Sequence, residues 1–415
     1  MGANKTYTWA QVRATAANVS GELPVATSPA LVVINNKVYD LGGKFAAWHP
    51  GGDVALSQVG YDATAFVADV QKLRALVKKE GWDRANPLYY TLKIGSNFAI
   101  AGISIAVLAL YGSSLPGLLA SSLLLAVFWQ QSGWLAHDFL HHQVFENRAY
   151  NNLVGYLVGN VGQGFSVAWW KHKHCTHHST TNIHMRDPDI DTMPYLAWSE
   201  HALEGFSDIS DKQLAKFLVK NQALMFFPLL SFARMMWALQ SILWASKSTF
   251  AGSFPTSLLL ERATLGLHYV WLLGAAFTLT TPLYGLLWIL MSQLFCGFLL
   301  ATVFSLNHNG MPVYSFEEAQ SMEFYEISIR TGRNVEPTHF NNWFTGGLNF
   351  QIEHHMFPMI PRHNLPKVAP IVQDICKRHN IPYHSTSLFT GLGEVLSRLT
   401  LVARLSLKMR MNHAN

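Results

Sequence analysis

The sequence predicts an all-α membrane protein with four transmembrane helices in two hairpins and a histidine-rich cap on the cytosolic side. Apolar residues make up 50% of the 415 residues and charged residues only 13%, against a usual charged share of about 25%. Four stretches of membrane-spanning length carry no charged residue, and most of the 19 histidines lie between and after them, in clusters. The net charge of +5 is scattered, so we expect the bilayer and no nucleic acid as a partner.

The four apolar stretches form two pairs. Residues 94–112 and 115–136 are separated only by Ser113 and Ser114, and residues 263–281 and 283–305 only by Pro282. About 20 residues at 1.5 Å each cross a hydrocarbon core of about 30 Å. Each pair therefore predicts a transmembrane hairpin. A further apolar stretch, 222–244, contains Arg234, and we interpret it as an interfacial or partly buried helix in preference to a fifth span.

Positive charge predicts the orientation of these helices. Four spans place both termini and the central loop on one side of the membrane. Those segments carry Lys93, Arg148, Lys171, Lys173, Arg262, Arg330 and Arg333, whereas the two hairpin turns carry no lysine or arginine. The shared side is therefore the cytosol, and the histidine clusters lie there too. Because the N-terminus has no apolar signal-peptide core, we expect internal spans to direct membrane insertion.

Four regions divide the chain. Residues 1–70 predict a small α+β segment, with a helix from 9–12 and a strand pair in LVVINNKVYDLGG. Residues 71–93 form a charged helical linker, 94–385 the membrane domain and 386–415 a C-terminal tail. Within the membrane domain, LPKVAPIVQDICKRHN has the apolar spacing of a soluble helix, at Val368, Ile371, Val372 and Ile375. The three cysteines predict no disulfide framework.

Three histidine clusters have the spacing of metal ligands. They are HDFLHH with His137, His141 and His142; HKHCTHH with His172, His174, His177 and His178; and QIEHH with Gln351, His354 and His355. On a helix, residues i, i+3 and i+4 share a face, which His172 does not share with His174. His308, at the end of the fourth span, is a further candidate donor. His184 precedes an acidic loop that it could order, and His268 is interpreted as a helix-packing residue.

The number of imidazoles and their surroundings favour iron. Imidazole suits zinc, copper, iron and nickel, but zinc sites close with three or four ligands, and eight or more histidines suggest two ions. Apolar spans beside the clusters suggest an acyl chain as substrate. Hydrogen removal from an unactivated methylene needs an oxidising metal–oxygen species, and zinc has no redox cycle. A metal transporter is a weaker alternative, because its ligands would lie inside the spans, where only His268 is found.

Together these boxes resemble the membrane front-end fatty-acid desaturases with an N-terminal cytochrome b5 domain. The similarity includes WQQSGWLAHDFLHHQVF, GFSVAWWKHKHCTHH, DPDIDTMP, VFSLNHNGMPV and NWFTGGLNFQIEHHMFP, covers nearly the whole chain, and is strongest to the delta-6 enzymes of lower fungi. The resemblance implies two iron ions, O2 as co-substrate and a new cis double bond towards the carboxyl end. It implies as ligands His137, His141, His142, His174, His177, His178, His308, His354 and His355. Gln351 is expected to hydrogen-bond near the site, and His184 is a second candidate for that role.

Substrate and product remain open within this resemblance. Delta-5, delta-6 and delta-8 enzymes, including sphingolipid enzymes, share these boxes, as would a hydroxylase or ketolase with the same iron chemistry. The acyl carrier is coenzyme A or a phospholipid. The resemblance implies an endoplasmic reticulum membrane and electrons from cytochrome b5 with its NADH reductase. Two residues depart from the usual second box, His172 and Cys175.

The haem segment departs further from the family pattern. His49 in HPGG matches the first axial ligand of a cytochrome b5 domain, but no histidine follows it until His137. We therefore expect that this chain cannot form a bis-histidine haem b, the second half of the domain being absent between Thr64 and Val67. Either the sequence comes from an incomplete gene model, or the domain is a relic and a separate cytochrome b5 supplies electrons. An inactive relative without electron delivery is the corresponding alternative function.

Overall fold

The computed structural model describes residues 64–204, 213–247, 257–320 and 322–413, together with residue 11 and two short strands. These strands, β1 (Leu31–Ile34) and β2 (Lys37–Asp40), pair antiparallel with Leu31 opposite Asp40. The strand pair predicted for this segment is therefore confirmed. His49 and most of the helix predicted from 9–12 lie outside the described residues.

Helices dominate the rest of the described chain. The first eight are α1 (Thr64–Lys79), α2 (Pro87–Tyr111), α3 (Leu115–Leu140), α4 (Arg148–Gly155, continued as a π-helix over Tyr156–Gln163), α5 (Val167–Thr180), α6 (Gln213–Lys220), α7 (Gln222–Ser231) and α8 (Ala233–Ala245). The next eight are α9 (Leu258–Leu279), α10 (Pro282–His308), α11 (Phe316–Gln320), α12 (Phe324–Arg330), α13 (His339–Phe344), α14 (Gln351–Met356), α15 (Leu365–Arg378) and α16 (Leu388–His413). Short 3-10 turns lie at His201–Leu203, Leu348–Phe350 and Arg362–Asn364, and β3 (Asn334–Val335) pairs parallel with β4 (Ser385–Thr386).

Three of the described helices are long and apolar enough to cross a membrane: α2, α3 and α10. Helices α7 and α8 could form a fourth span, but they are bent by 56° at their junction. Helix α9 covers residues 263–279 of the predicted stretch 263–281, yet it falls outside this set, and it carries Glu261, Arg262 and His268. A helix thus forms at every predicted span, while neither the count of four spans nor the arrangement in two hairpins is confirmed.

Helix α3 is the centre of the membrane-facing bundle. Its N-cap Ser114 accepts a hydrogen bond from the amide of Gly117, so the predicted Ser113–Ser114 boundary coincides with a helix start. Ser104 of α2 and Ser121 of α3 each donate to the other's backbone carbonyl, at 2.9 and 2.8 Å. From Phe128 to Leu140 every α3 residue is buried. His137 lies within this buried stretch and is therefore held by close packing on all sides.

The histidine-rich cap has its own apolar core. Helix α15 contributes Val368, Val372 and Ile375, as its sequence spacing predicted, and these pack with Ile352 and Met356 of α14. Helix α1 adds a row of buried apolar side chains to the same core: Phe66, Val70, Leu73 and Val77. The segment predicted as a linker therefore begins inside a helix that is packed into the cap. Helix α16 lies along α7, with Val395 and Leu399 against Phe226.

Candidate metal centre

Four helix ends bring the histidine clusters together. The first cluster ends α3, the second lies on α5, the third forms α14, and His308 ends α10. Helix α14 is fixed from behind by Glu353, which accepts hydrogen bonds from Tyr383 and Asn334 at 2.8 Å each. The imidazoles therefore converge from separate helices into one buried volume.

Five histidines form the larger group: His137, His141, His174, His178 and His354. The Nε2 atom of His174 lies 2.9 Å from that of His141 and 3.0 Å from that of His178, and His178 Nε2 lies 3.1 Å from His354 Nε2. Nitrogens bound at about 2.1 Å to one ion and at right angles to each other lie about 3.0 Å apart. These distances are thus those of ligands that share an ion.

Three histidines form the second group: His177, His308 and His355. The Nε2 atoms of His308 and His355 are 3.1 Å apart, and the ring of His177 lies 4.7 Å from that of His308 and 5.1 Å from that of His355. All three side chains are buried. The group can supply three imidazole ligands to a second ion.

Consecutive histidines separate the two groups. His177 and His178 are neighbours on α5, yet they belong to different groups. The neighbours His354 and His355 on α14 are likewise divided between the two groups. Successive helix residues point about 100° apart, so each histidine pair straddles two adjacent positions. The rings of His178 and His355 stack at 4.1 Å between them. The paired HH pattern therefore places the two candidate metal-binding groups side by side.

Partners behind the second group orient its rings. Both carboxylate oxygens of Asp187 lie 3.0 Å from His177 Nδ1, and His308 Nδ1 lies 3.0 Å from the carbonyl of Thr331. His355 Nδ1 lies 3.1 Å from Thr181 Oγ1, whose hydroxyl donates to the His177 carbonyl. Each Nδ1 is therefore the protonated nitrogen, so that each Nε2 carries the lone pair that can bind a metal.

Burial keeps most of these imidazoles neutral. It lowers the pKa of His141, His174, His178, His354 and His355 well below the usual range, and the neighbouring imidazoles add to the effect. His177 differs: burial opposes protonation, but the carboxylates of Asp187 and Asp189 together raise its pKa. Neutral imidazole is the form that binds metal, so the donor set fits one or two metal ions.

A buried ion pair supports the first cluster from the other side of α3. Arg362 Nε donates to Asp138 Oδ2 at 2.5 Å, and Tyr90 donates to the same oxygen at 2.8 Å. The second oxygen of Asp138 lies 3.5 Å from His137 Nδ1. His137 Nε2, which faces the group, has no hydrogen-bond partner among the described residues. The ion pair thus ties the first cluster to α2 and to the segment before α15.

Two predicted site residues lie away from both groups. Helix α3 ends at Leu140, and the positive φ of 58° at His142 turns that ring outwards, where its Nε2 lies 3.1 Å from Asn152 and 3.4 Å from Lys171. His142 thus lies outside both groups, and its role as a ligand stays a prediction. His184 stacks on His201 at 5.7 Å and does not reach the groups. His172 packs against Trp244, also away from the groups.

Gln351 contacts the second group. Its Nε2 lies 2.7 Å from His308 Nε2, and its Oε1 accepts from Asn307 at 3.0 Å. This placement agrees with the expected hydrogen-bonding role of Gln351. Cys175 faces away from the groups, and burial raises the pKa of its thiol to about 11, which makes it unreactive at neutral pH.

Three supporting residues escaped the sequence analysis: Asp187, Thr181 and Arg362. The acidic motif DPDID after the second cluster was the signal for Asp187, because a carboxylate behind a ligand histidine is a recurrent feature of metal sites. Thr181 and Arg362 carried no such signal, since their partners lie 174 and 224 positions away in the chain.

Replacing Asp187 with asparagine should weaken metal binding. An amide offers only one acceptor atom and no charge to His177, so its orientation is poorly held. We expect a loss of about 10- to 100-fold in iron affinity at one of two positions, measured by iron content after dialysis against a graded chelator. Asp374→Asn, at an exposed residue of α15, is the control. Unchanged retention of both ions in the Asp187 variant would contradict this role.

An aromatic opening reaches the larger group. It is lined by Trp169, Trp170, Trp237 and Phe304, with His174 at its inner end and the Lys173–Asp189 ion pair, at 2.8 Å, on its rim. Trp170 stacks on His174 with a ring separation of 4.3 Å. Apolar walls beside a metal ligand suit a hydrocarbon chain.

Comparisons with known proteins agree with this geometry. The fatty acid desaturase family model matches residues 113–387, and the cytochrome b5-like heme/steroid binding domain model matches residues 9–95. The chain is 40% identical over 407 residues to the acyl-lipid (9-3)-desaturase of Physcomitrium patens, covering 90% of this chain and 75% of that protein. It is 35% identical over 339 residues to the Delta(5) fatty acid desaturase fat-4 of Caenorhabditis elegans, covering 81% of this chain and 74% of that protein. The Delta(8)-fatty-acid desaturase of Euglena gracilis is 36% identical over 343 residues, covering 82% of this chain and 80% of that protein.

Proposed function

The chain belongs to the fatty acid desaturase family and carries an N-terminal cytochrome b5-like domain, and from this premise we propose that it is a front-end delta-6 desaturase. In this reaction a CH2–CH2 unit of an acyl chain loses two hydrogens and becomes a cis double bond, while O2, two electrons and two protons form two waters. The observation that carries the proposal is the pair of adjacent, buried, all-imidazole groups beside an apolar opening.

Two irons are the proposed cofactors. One would be held by His137, His141, His174, His178 and His354, and the other by His177, His308 and His355 with Gln351 beside them. Iron bound there supplies the oxidising power that no side chain has. The residues around it perform the remaining tasks: Asp187, Thr181 and the Thr331 carbonyl fix the imidazole tautomers, and buried neutral rings exclude water from the reacting methylene.

The acyl chain is proposed to enter through the aromatic opening. Trp237 and Phe304 would contact the hydrocarbon, and the Lys173–Asp189 pair would mark the polar end. Chain placement there would decide which methylene faces the metals. The delta-6 position rests on the overall similarity of the histidine boxes to delta-6 enzymes, and delta-5 or delta-8 activity, including sphingolipid activity, is the alternative. The carrier is an acyl-CoA or a phospholipid.

Electrons are proposed to come from a separate cytochrome b5 and its NADH reductase. The sequence between His49 and His137 contains no second axial histidine, which favours external delivery and also keeps an inactive relative as the second candidate. The proposed location is the endoplasmic reticulum membrane, with the termini and histidine boxes in the cytosol.

Feeding yeast that expresses the chain tests this function. The host makes cytochrome b5 but no delta-6 product, and it receives linoleic acid. We expect γ-linolenic acid among the methyl esters, identified by gas chromatography–mass spectrometry. A product with its new bond at delta-5 or delta-8 from a matched fatty acid would reassign the position. If iron-loaded protein forms no product, but forms it once a complete haem domain is added, electron delivery is the defect. No product even then would contradict the proposed activity.

A further inference from the structure

A second polar pocket lies on the side of α3 that faces away from the metal groups. It is lined by Lys93 and Asn97 of α2, Gln131 and Leu135 of α3, Trp343 of α13, and Arg362. Residues 131, 135 and 138 share one face of α3, and His137 lies on another. The pocket therefore belongs neither to the metal centre nor to the aromatic opening.

The side chains that line the pocket carry more hydrogen-bond donors and more positive charge than the surrounding protein groups satisfy. The Lys93 ammonium makes no hydrogen bond or ion pair with any residue that the structure describes. Its Nζ atom lies 5.5 Å from the centre of the Tyr89 ring. Arg362 uses Nε on Asp138 and Nη2 on the Trp134 carbonyl. Asp138 is therefore paired with Arg362, whereas Lys93 has no counter-charge among the described residues.

Asn97 points to a missing partner. Its side chain is only 2% exposed, and its Oδ1 has no hydrogen-bond partner, while Nδ2 donates to Ser132 Oγ at 2.8 Å. The two ends of an amide are assigned from their surroundings. With the amide reversed, Ser132 donates to Oδ1 and the Asn97 NH2 donates into the pocket. Lysine, arginine and amide donors then line one pocket.

The surroundings indicate a lipid as the source of the acceptor. The outer face of α2 beside Lys93 is apolar and exposed, with Leu88 at 65% and Leu92 at 63%, as expected for a surface that contacts acyl chains. Trp343 is 36% exposed at the pocket rim, a position that tryptophan favours at a membrane interface. Basic pockets between membrane helices bind phosphate headgroups.

We propose that Lys93, Asn97 and Arg362 form a binding site for the phosphate of a membrane phospholipid. A phosphate diester offers several acceptor oxygens and one negative charge, which matches the unused donors. Through Arg362 and Asp138 the bound phosphate is linked to His137, the ligand on the opposite face of α3. Occupancy of this site therefore stabilises the helix that presents the first histidine cluster.

Lipid binding to the purified full chain tests the site without relying on turnover. Detergent-solubilised, delipidated protein is titrated with phosphatidylcholine, with diacylglycerol of the same acyl chains, with oleic acid and with inorganic phosphate, and bound lipid is counted by native mass spectrometry. We expect saturable phosphatidylcholine binding. Removal of the Lys93 charge by Lys93→Gln should weaken it about tenfold, as expected for one charge-assisted hydrogen bond.

Two further variants complete the test. Lys93→Arg should retain binding, and Lys220→Gln, which alters an exposed lysine at the end of α6, should leave it unchanged. Binding of phosphatidylcholine to Lys93→Gln at wild-type strength, or loss of binding in a folded Lys93→Arg, overturns the proposal. Equal binding of diacylglycerol excludes the phosphate as the recognised group. Equal competition by oleic acid reassigns the site to a carboxylate, and saturation by inorganic phosphate alone reassigns it to the free anion.

Discussion

Replacing His354 with alanine is expected to abolish double-bond formation and to remove iron from the larger group. The side chain is 1% exposed, its Nε2 lies 3.1 Å from His178 Nε2, and its ring lies 4.5 Å from that of His137. It therefore contacts histidines of both the first and the second cluster. Loss of a direct ligand should exceed the 10- to 100-fold effect of losing a supporting residue, so we expect more than about 100-fold less product.

Product in the linoleic acid feed and iron per chain by mass spectrometry check this expectation. His172→Ala is the matched control, because His172 lies in the second cluster but contacts Trp244 instead of the metal groups. We expect His172→Ala to retain both iron and product. A His354→Ala protein that still binds iron fully and forms the double bond would show that the larger group is not the reactive centre.

Replacing Arg362 with alanine is expected to cause the largest loss of stability. The change leaves the Asp138 carboxylate buried without its counter-charge, beside Tyr90 and His137. Breaking a buried pair on one side costs about 3–5 kcal/mol. Thermal unfolding of the detergent-solubilised protein should therefore begin at a clearly lower temperature, whereas Arg84→Ala, at an exposed residue, should behave as the parent chain.

The double variant separates charge from packing. Asp138→Asn with Arg362→Gln removes both charges and keeps two groups that can hydrogen-bond, so it should recover part of the lost stability. If Arg362→Ala unfolds like the parent chain, the pair is dispensable. If the double variant is no better than Arg362→Ala, the contribution of Arg362 is packing and its bond to the Trp134 carbonyl, and not its charge.

Helical spacing predicted much of the candidate site. The i, i+3 and i+4 pattern placed His174 with His178. The topology argument put the three histidine clusters on one side of the membrane, and in the structure they lie together. His142, which only the resemblance gave as a ligand, lies outside both groups because the helix ends at Leu140 and the backbone at His142 has positive φ. The division of His177 from His178 between two groups depends on the angle at which α5, α10 and α14 meet, which local sequence does not contain.

Composition predicted the apolar helices better than their relation to the membrane. Helix α9 forms as expected, but Glu261 is buried on the protein side, where Asn160 of the π-helix donates to it at 3.2 Å. Arg234 is likewise buried, with its guanidinium 3.6 Å from the Trp129 ring and its Nη1 donating to Gln293 at 2.5 Å. In the sequence, a charged residue that finds its partners inside the helix bundle looks the same as one that ends a transmembrane helix.

The docking of α1 limits how this enzyme can be rebuilt. Phe66, Val70, Leu73 and Val77 belong to the core that supports the third histidine cluster, and Asp69 receives a hydrogen bond from His379 at 3.0 Å. A chimaera spliced at residue 71, the boundary that composition suggests, would remove half of this supporting surface. Donor domains should therefore be joined ahead of Thr64, so that the whole of α1 is inherited together with the cap that it supports.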